Sequence, residues 1–172
     1  MSKKKDAPAA SAPPEIHVLN GPNLNMLGFR EPEVYGHETL TDLEKKLRDA
    51  VKESGLKVKI RFFQTNYEGE MLDYIHSLVL GLAQKGGLGG ILINPAAWTH
   101  TSIAIRDAVM MLKPVPIVEV HLSNPLEREE FRHHSVIEDL ADYRIAGMGQ
   151  DGYLEGLRWL LSEMQKERLD VH

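Results

Sequence analysis

Residues 18–36, VLNGPNLNMLGFREPEVYG, begin as an apolar run and stop in a loop rich in Gly, Pro and Asn. Short apolar runs bounded by turn residues read as buried strands, so Ile16 to Leu19 is a strand and Asn20-Gly21-Pro22-Asn23 its exit. The polar residues then sit just past a strand's C-terminal end, the edge where open α/β sheets bind ligands. That position raises Asn23, Arg30 and Tyr35 above ordinary loop residues. The competing reading is a surface turn with solvated charges.

The same sentence structure recurs along the chain. Thr39 to Ser54 carries Leu40, Leu43, Leu47, Ala50 and Val51 at helical spacing, and Gly55 stops it. Lys57 to Phe63 alternates through Val58, Ile60 and Phe62 as a strand and ends in Gln64-Thr65-Asn66-Tyr67. Glu68 to Gln84 returns to helical spacing, and Gly86, Gly87, Gly89 and Gly90 connect it onward. Gly90 to Ile93 is a third strand, ending in Asn94-Pro95-Ala96-Ala97-Trp98-Thr99-His100-Thr101-Ser102, with a helix from Ser102 to Leu112. Pro116 to Leu122 is a fourth strand, Glu127 to His133 one short helix, Arg144 to Met148 a short fifth strand and Gly152 to Glu167 a final amphipathic helix. Strands alternating with helices predict a five-stranded parallel sheet covered on both faces, a flavodoxin-like three-layer sandwich. No internal repeat, P-loop or GxGxxG motif is present.

Bulk properties bound what such a domain can do. With 172 residues, 42% of them hydrophobic, residues 15–172 are expected to form one domain. Residues 1–14, MSKKKDAPAASAPP, are expected to be a disordered tail, because they hold no large apolar side chain beyond Met1. They lack the apolar stretch of a secretory signal, and no segment approaches the roughly 20 apolar residues of a membrane span, so a soluble, cytoplasmic protein is expected. A net charge of -5 and a pI near 5.9 give no electrostatic case for nucleic acid or an anionic membrane as partner. The absence of cysteine removes disulfides, thiolate metal sites and cysteine nucleophiles.

A flavodoxin-like strand order brings the exits of the first, third and fourth strands to one crevice. Their contents are Asn23, Arg30 and Tyr35; Asn94 and His100; and Glu119, His121 and Ser123, with Arg128 and Arg132 four apart on the short helix. Asp107 falls seven residues after His100 and would share its helical face, unless it merely pairs with Arg106 or Arg128. Glu119 and His121 alternate with Val118 and Val120, which puts both on one face of a buried strand. A buried Glu beside a His is costly unless the two are hydrogen-bonded, and a carboxylate orienting an acid/base imidazole accounts for the pair. A purely structural pair is the alternative. The eight His show no HExxH or other metal spacing, and no Lys lies in a strand-exit loop to form a Schiff base.

Four segments, NGPNLNMLGFREPEVYG, FFQTNYEGEMLDYIH, INPAAWTHTSIAIRDA and EVHLSNPLEREEFRHHS, in this order and at this spacing, resemble type II 3-dehydroquinate dehydratases over about residues 15 to 165. The resemblance implies reversible, cofactor-independent dehydration of 3-dehydroquinate to 3-dehydroshikimate by anti elimination through an enolate, in shikimate biosynthesis or quinate breakdown. It also implies a homododecamer built as a tetramer of trimers. On matching positions, Tyr35 resembles the base that takes the C2 proton, Arg30 the cation that keeps it ionised, and Asn23 a residue that stabilises the enolate through a water. His121, held by Glu119, resembles the general acid. Asn94, His100, Asp107, Leu122, Ser123 and Arg132 resemble the substrate-binding set, and Arg128 a supporting residue.

Three positions depart from the family's pattern. Ala96 stands where Gly is frequent, Trp98 where Tyr or Leu is common and Tyr67 where His is frequent. A left-handed backbone at position 96 would strain an alanine by roughly 1–2 kcal/mol. A non-catalytic flavodoxin-like binding module and a hydro-lyase acting on another polyhydroxy cyclic acid are the competing functions.

Overall fold

The computed structural model describes residues 12–29, 37–82 and 87–170. Five strands, β1 (Glu15–Asn20), β2 (Lys59–Gln64), β3 (Leu88–Asn94), β4 (Ile117–His121) and β5 (Tyr143–Ala146), pair in the order β2-β1-β3-β4-β5. Every pairing is parallel. This is the doubly wound order expected for a flavodoxin-like sheet. Among the described residues four helices flank it: α1 (Leu40–Glu53), α2 (Glu68–Gly81), α3 (Ile103–Met110) and α4 (Asp151–Asp170). No helix among the described residues is long and apolar enough to cross a membrane.

Period-two alternation along the strands sorts the core into two halves. On one face Ile16, Val18, Leu92, Val118 and Val120 pack under Leu43 and Leu47 of α1 and Leu157 and Leu160 of α4. On the other, Leu19, Ile91, Ile93 and Ile117 meet Met71 and Ile75 of α2 and Ile105 and Val109 of α3. Helix α1 starts at Thr39, where a capping box joins the Thr39 side chain to the Asp42 amide and the Asp42 carboxylate to the Thr39 amide. Ser102 caps α3 by accepting from the Ile105 amide.

Two local expectations need correction. Glu127 to His133 is not one helix but two single 3-10 turns, Pro125–Glu127 and Glu130–Arg132. Between them Arg128 is extended, at φ -114 and ψ -164, and interrupts the helical backbone. His100 does not begin α3 either: it ends a separate 3-10 segment, Ala96–His100, two residues before the Ser102 cap. His100 and Asp107 therefore do not share one helical face.

The strand exits are held close by backbone. The Gly21 amide donates to the Asn94 carbonyl at 2.8 Å. A Cβ on Gly21 would lie 2.3 Å from the Pro95 carbonyl oxygen, so only glycine lets the β1 exit pass the β3 exit. Gly156 does the same for α4, where a Cβ would meet Leu92 Cδ1 at 2.7 Å and Val118 Cγ1 at 2.9 Å. The strain foreseen at Ala96 is present, with φ at 53.

Replacing Ala96 with glycine relieves roughly 1–2 kcal/mol of left-handed strain and restores about 0.4–1 kcal/mol of unfolded-state entropy. Ala96→Gly is therefore expected to stabilise the fold by about 0.5–1 kcal/mol, read as a higher urea midpoint at unchanged slope. A lower midpoint would refute strain at this residue.

Candidate active site

Where β1, β3 and β4 lie side by side, their C-terminal ends frame a cavity of about 230 Å³. Asn23, Asn94, His100, His121, Leu122, Ser123, Arg128 and Arg132 line it, and Leu24, Leu27 and Ala96 contribute apolar wall. Sequence-chosen residues from all three exits thus converge. Glu119 lies behind the wall, fully buried. Asp107 is exposed on α3 and is not among the cavity-lining residues. Arg30 and Tyr35 lie outside the described residues.

On β4 the alternation does what its pattern predicts. The imidazole Nε2 of His121 donates to Glu119 Oε1 at 2.6 Å, which leaves Nδ1 as the ring nitrogen available to the crevice. Burial pushes the Glu119 carboxyl up, but the His121 hydrogen bond and its charge, with the Arg144 guanidinium 3.6 Å away, hold it below the ordinary carboxylate range. Glu119 is consequently an anion at neutral pH, and it accepts the His121 Nε2–H. Arg144 pairs across strands with Glu119 in register and also reaches Glu138 at 3.3 Å.

His100 is set up in the opposite sense. Its Nδ1–H donates to the His134 carbonyl at 2.8 Å, so Nε2 carries the lone pair. Burial lowers its pKa and the positive charge of His121 and Arg132 lowers it further, against the opposing His134 and Glu119 contributions. A neutral imidazole here is an acceptor for a hydroxyl.

Asn94, 3% exposed, ends β3 with both sides of its amide engaged. Its Oδ1 accepts the Ala96 amide at 3.0 Å, and its Nδ2 donates to the Tyr153 hydroxyl at 2.9 Å. Tyr153 in turn donates to Asn20 Oδ1 at 2.7 Å. Asn20 and Asn94 are register partners at the ends of β1 and β3. Burial raises the Tyr153 phenol far above its ordinary value, so it stays protonated and can make that donation.

Asn23 takes the left-handed conformation, φ 66 and ψ -3, which Asn tolerates better than most residues. Its amide donates to Asn66 Oδ1 at 2.8 Å, and Gln64 Nε2 donates to the same oxygen at 3.2 Å and to the Gly21 carbonyl at 3.3 Å. The β2 exit thus props the β1 exit from outside. At the rim, Arg132 Nε donates to Glu129 Oε2 at 2.7 Å, and Arg128 Nε lies 3.7 Å from the same oxygen.

Sequence reading missed Tyr153, Asn20, Asn66 and Gln64 as parts of this assembly. The available signal was that two apolar strand runs each end in Asn at the same parity, Val18-Leu19-Asn20 and Leu92-Ile93-Asn94. Of the departures from the resembled family, Trp98 packs against the α2 and α3 core and Tyr67 is 71% exposed. Only Ala96 touches the cavity. Among the described residues no cluster of three or more His, Cys, Asp or Glu could hold a metal ion. What the crevice offers is an imidazole backed by a carboxylate, a neutral imidazole, two amides, a hydroxyl and two guanidinium groups. That set suits a small, hydroxylated anion undergoing proton transfer.

Residues 14–161 match the family described as Dehydroquinase class II. The chain is 50% identical over 155 residues to 3-dehydroquinate dehydratase 2 of Pseudomonas putida, covering 90% of this chain and 97% of that protein. It is 53% identical over 150 residues to 3-dehydroquinate dehydratase of Endomicrobium trichonymphae, covering 87% and 99%. Among solved structures, the type II dehydroquinase of Butyrivibrio crossotus superposes with a TM-score of 0.79 at 39% identity, covering 87% of this chain and 99% of that one. With a five-stranded sheet in 2-1-3-4-5 order, a crevice at its switch point and these relatives along nearly its whole length, the chain belongs to the class II dehydroquinase family.

Proposed function

We propose that the crevice dehydrates 3-dehydroquinate to 3-dehydroshikimate, without a cofactor, by anti elimination through an enolate. The observation that carries the assignment is the buried Glu119 carboxylate hydrogen-bonded to His121 on the cavity wall. A hydroxide leaving group needs a proton, and a carboxylate that takes one imidazole nitrogen leaves the other to deliver it. His121 supplies it from the nitrogen opposite Glu119.

Tyr35 takes the C2 proton, and Arg30 keeps its phenol ionised. Removing a proton beside a ketone generates an oxyanion, which needs a donor already in place, and Asn23 provides it through a water. Asn94, His100 and the Leu122-Ser123 exit of β4 bind the ring substituents. Arg132 offers a two-pronged guanidinium to the substrate carboxylate, with Arg128 supporting it at the rim.

We also propose a homododecamer. Ile103, Asp107 and Met110 follow one another at i, i+4 and i+7 on the exposed side of α3, and Met111, Leu126 and Phe131 are exposed apolar side chains as well. Packing of this α3 face against another copy would cover that apolar surface. Asp107 then joins the substrate-binding set from a neighbouring subunit. Light scattering is expected to give a multiple of the 19.4 kDa chain mass, and a mass of one subunit rejects the assembly.

The direct test is absorbance of the conjugated enone on mixing purified protein with 3-dehydroquinate; no rise refutes the reaction. His121→Ala is expected to lose dehydration by about 10²–10⁴-fold, the usual worth of general acid–base catalysis. Exchange of the C2 proton in D₂O, followed by NMR, is expected to survive better. Equal loss of both would make His121 a binding residue.

Arg30 is tested by pH. A free tyrosine titrates near 10, and lowering it by about two and a half pKa steps requires roughly 3.4 kcal/mol at 1.36 kcal/mol each. A cation about 4 Å from the phenolate at an effective dielectric near 20 supplies about 4 kcal/mol. Arg30→Ala is therefore expected to move the acid limb of the pH–rate profile upward toward the free tyrosine value, with low activity at pH 7 and partial recovery near pH 10. A uniform drop with the limb unmoved would exclude tuning of Tyr35.

A further inference from the structure

We infer that Tyr153 is a positioning residue: it fixes the Asn94 amide so that the group Asn94 turns to the crevice is an N–H, selecting a substrate oxygen that accepts. The inference rests on the reading of Asn94 as a substrate-binding residue. The Ala96 backbone amide can only donate, so the Asn94 atom 3.0 Å from it is the carbonyl oxygen Oδ1. The other arm is then the NH₂ group, and one of its two protons goes to the Tyr153 hydroxyl oxygen at 2.9 Å. Having accepted there, Tyr153 sends its own proton to Asn20 Oδ1 at 2.7 Å.

Every member of this relay is nearly or wholly buried, at 1% exposure for Asn20, 3% for Asn94 and 0% for Tyr153. Water therefore cannot stand in for a missing partner at low cost. The second proton of the Asn94 NH₂ group remains for the cavity that Asn94 lines. Across the same cavity His100 presents an acceptor, because its Nδ1–H is held by the His134 carbonyl. Donor and acceptor walls of fixed polarity discriminate between ring substituents: a carbonyl or ether-like oxygen fits at Asn94, and a hydroxyl proton fits at His100. Without the Tyr153 hydroxyl, the relay loses both the acceptor for Asn94 and the donor for Asn20, and Asn94 is free to leave its crevice-facing pose.

The test is a double-mutant cycle on the intact enzyme with 3-dehydroquinate as the probe. Tyr153→Phe keeps the ring and removes only the oxygen; KM is expected to rise about tenfold with kcat within about threefold, the pattern of a lost ground-state contact. Asn94→Ala is expected to raise KM at least as far. Tyr153→Phe placed on Asn94→Ala is expected to add nothing, since it acts through Asn94. Unchanged KM in Asn94→Ala refutes the binding role of Asn94 and this inference with it. Raised KM in Asn94→Ala but not in Tyr153→Phe, or equal fold-changes from Tyr153→Phe in both backgrounds, overturns the role of Tyr153 alone. Should Tyr153→Phe not fold, Asn20→Ala replaces it in the same cycle: it releases the Tyr153 proton to compete for Asn94, and the same dependence on Asn94 is expected. Additivity there overturns the inference.

Discussion

Parallel strands cannot be joined by a tight hairpin, so each must return across a face of the sheet before the next begins. All five strands therefore point the same way, and their C-terminal ends share one edge. Everything chemical in this molecule follows from that constraint. The chain moves one way from β1 to β2 and then back past β1 to β3, so the helices of these two connections lie on opposite faces and leave a gap between them at the β1/β3 edge. The crevice is that gap. At its floor the Gly21 amide donates to the Asn94 carbonyl and ties the β1 exit to the β3 exit.

The two-residue period of the strands then divides the chemistry between the faces. Glu119 and His121 share the α2/α3 side with Ile117, while Asn20 and Asn94 share the α1/α4 side with Val18 and Leu92. The His121 imidazole thus rests on a carboxylate anchored toward one layer, and the Asn94 amide rests on a phenol anchored in the other. Arg144, an edge-strand residue in register with Glu119, offsets the cost of sinking a carboxylate at 0% exposure. His100 and His121 show how neighbouring imidazoles on one wall take different roles. A carbonyl partner with burial keeps the first neutral, and the second donates from its other nitrogen to a buried carboxylate.

Strand and helix order were legible because apolar periodicity is local, and the exit loops are rich in the residues that end such runs. Glu119 and His121 were legible for the same reason: a period of two needs only Val118 and Val120 to declare it. The strain at Ala96 could be stated only through family resemblance, because nothing in Asn94-Pro95-Ala96 itself demands φ at 53. Asp107 was drawn toward His100 by counting helical turns through a segment that is in fact interrupted at Thr101 and Ser102. Tyr153 was beyond sequence reading, as it meets Asn94 across 59 residues and Asn20 across 133, and no pattern within the last helix marks it as anything but core.

Tyr153 sits in the first turn of α4, two residues after its start at Asp151, so the helix and the crevice are thermodynamically linked. Any opening that lifts the start of α4 from the sheet withdraws the phenol from Asn20 and Asn94 together. A ligand that binds only the assembled crevice must then oppose that opening by RT ln(1 + [L]/Kd), about 2.7 kcal/mol at a hundredfold excess over Kd. The amides of the first α4 turns, remote in sequence from every crevice-lining residue of β1 and β3, become reporters of occupancy. Substrate concentration sets how often this end of the helix breathes.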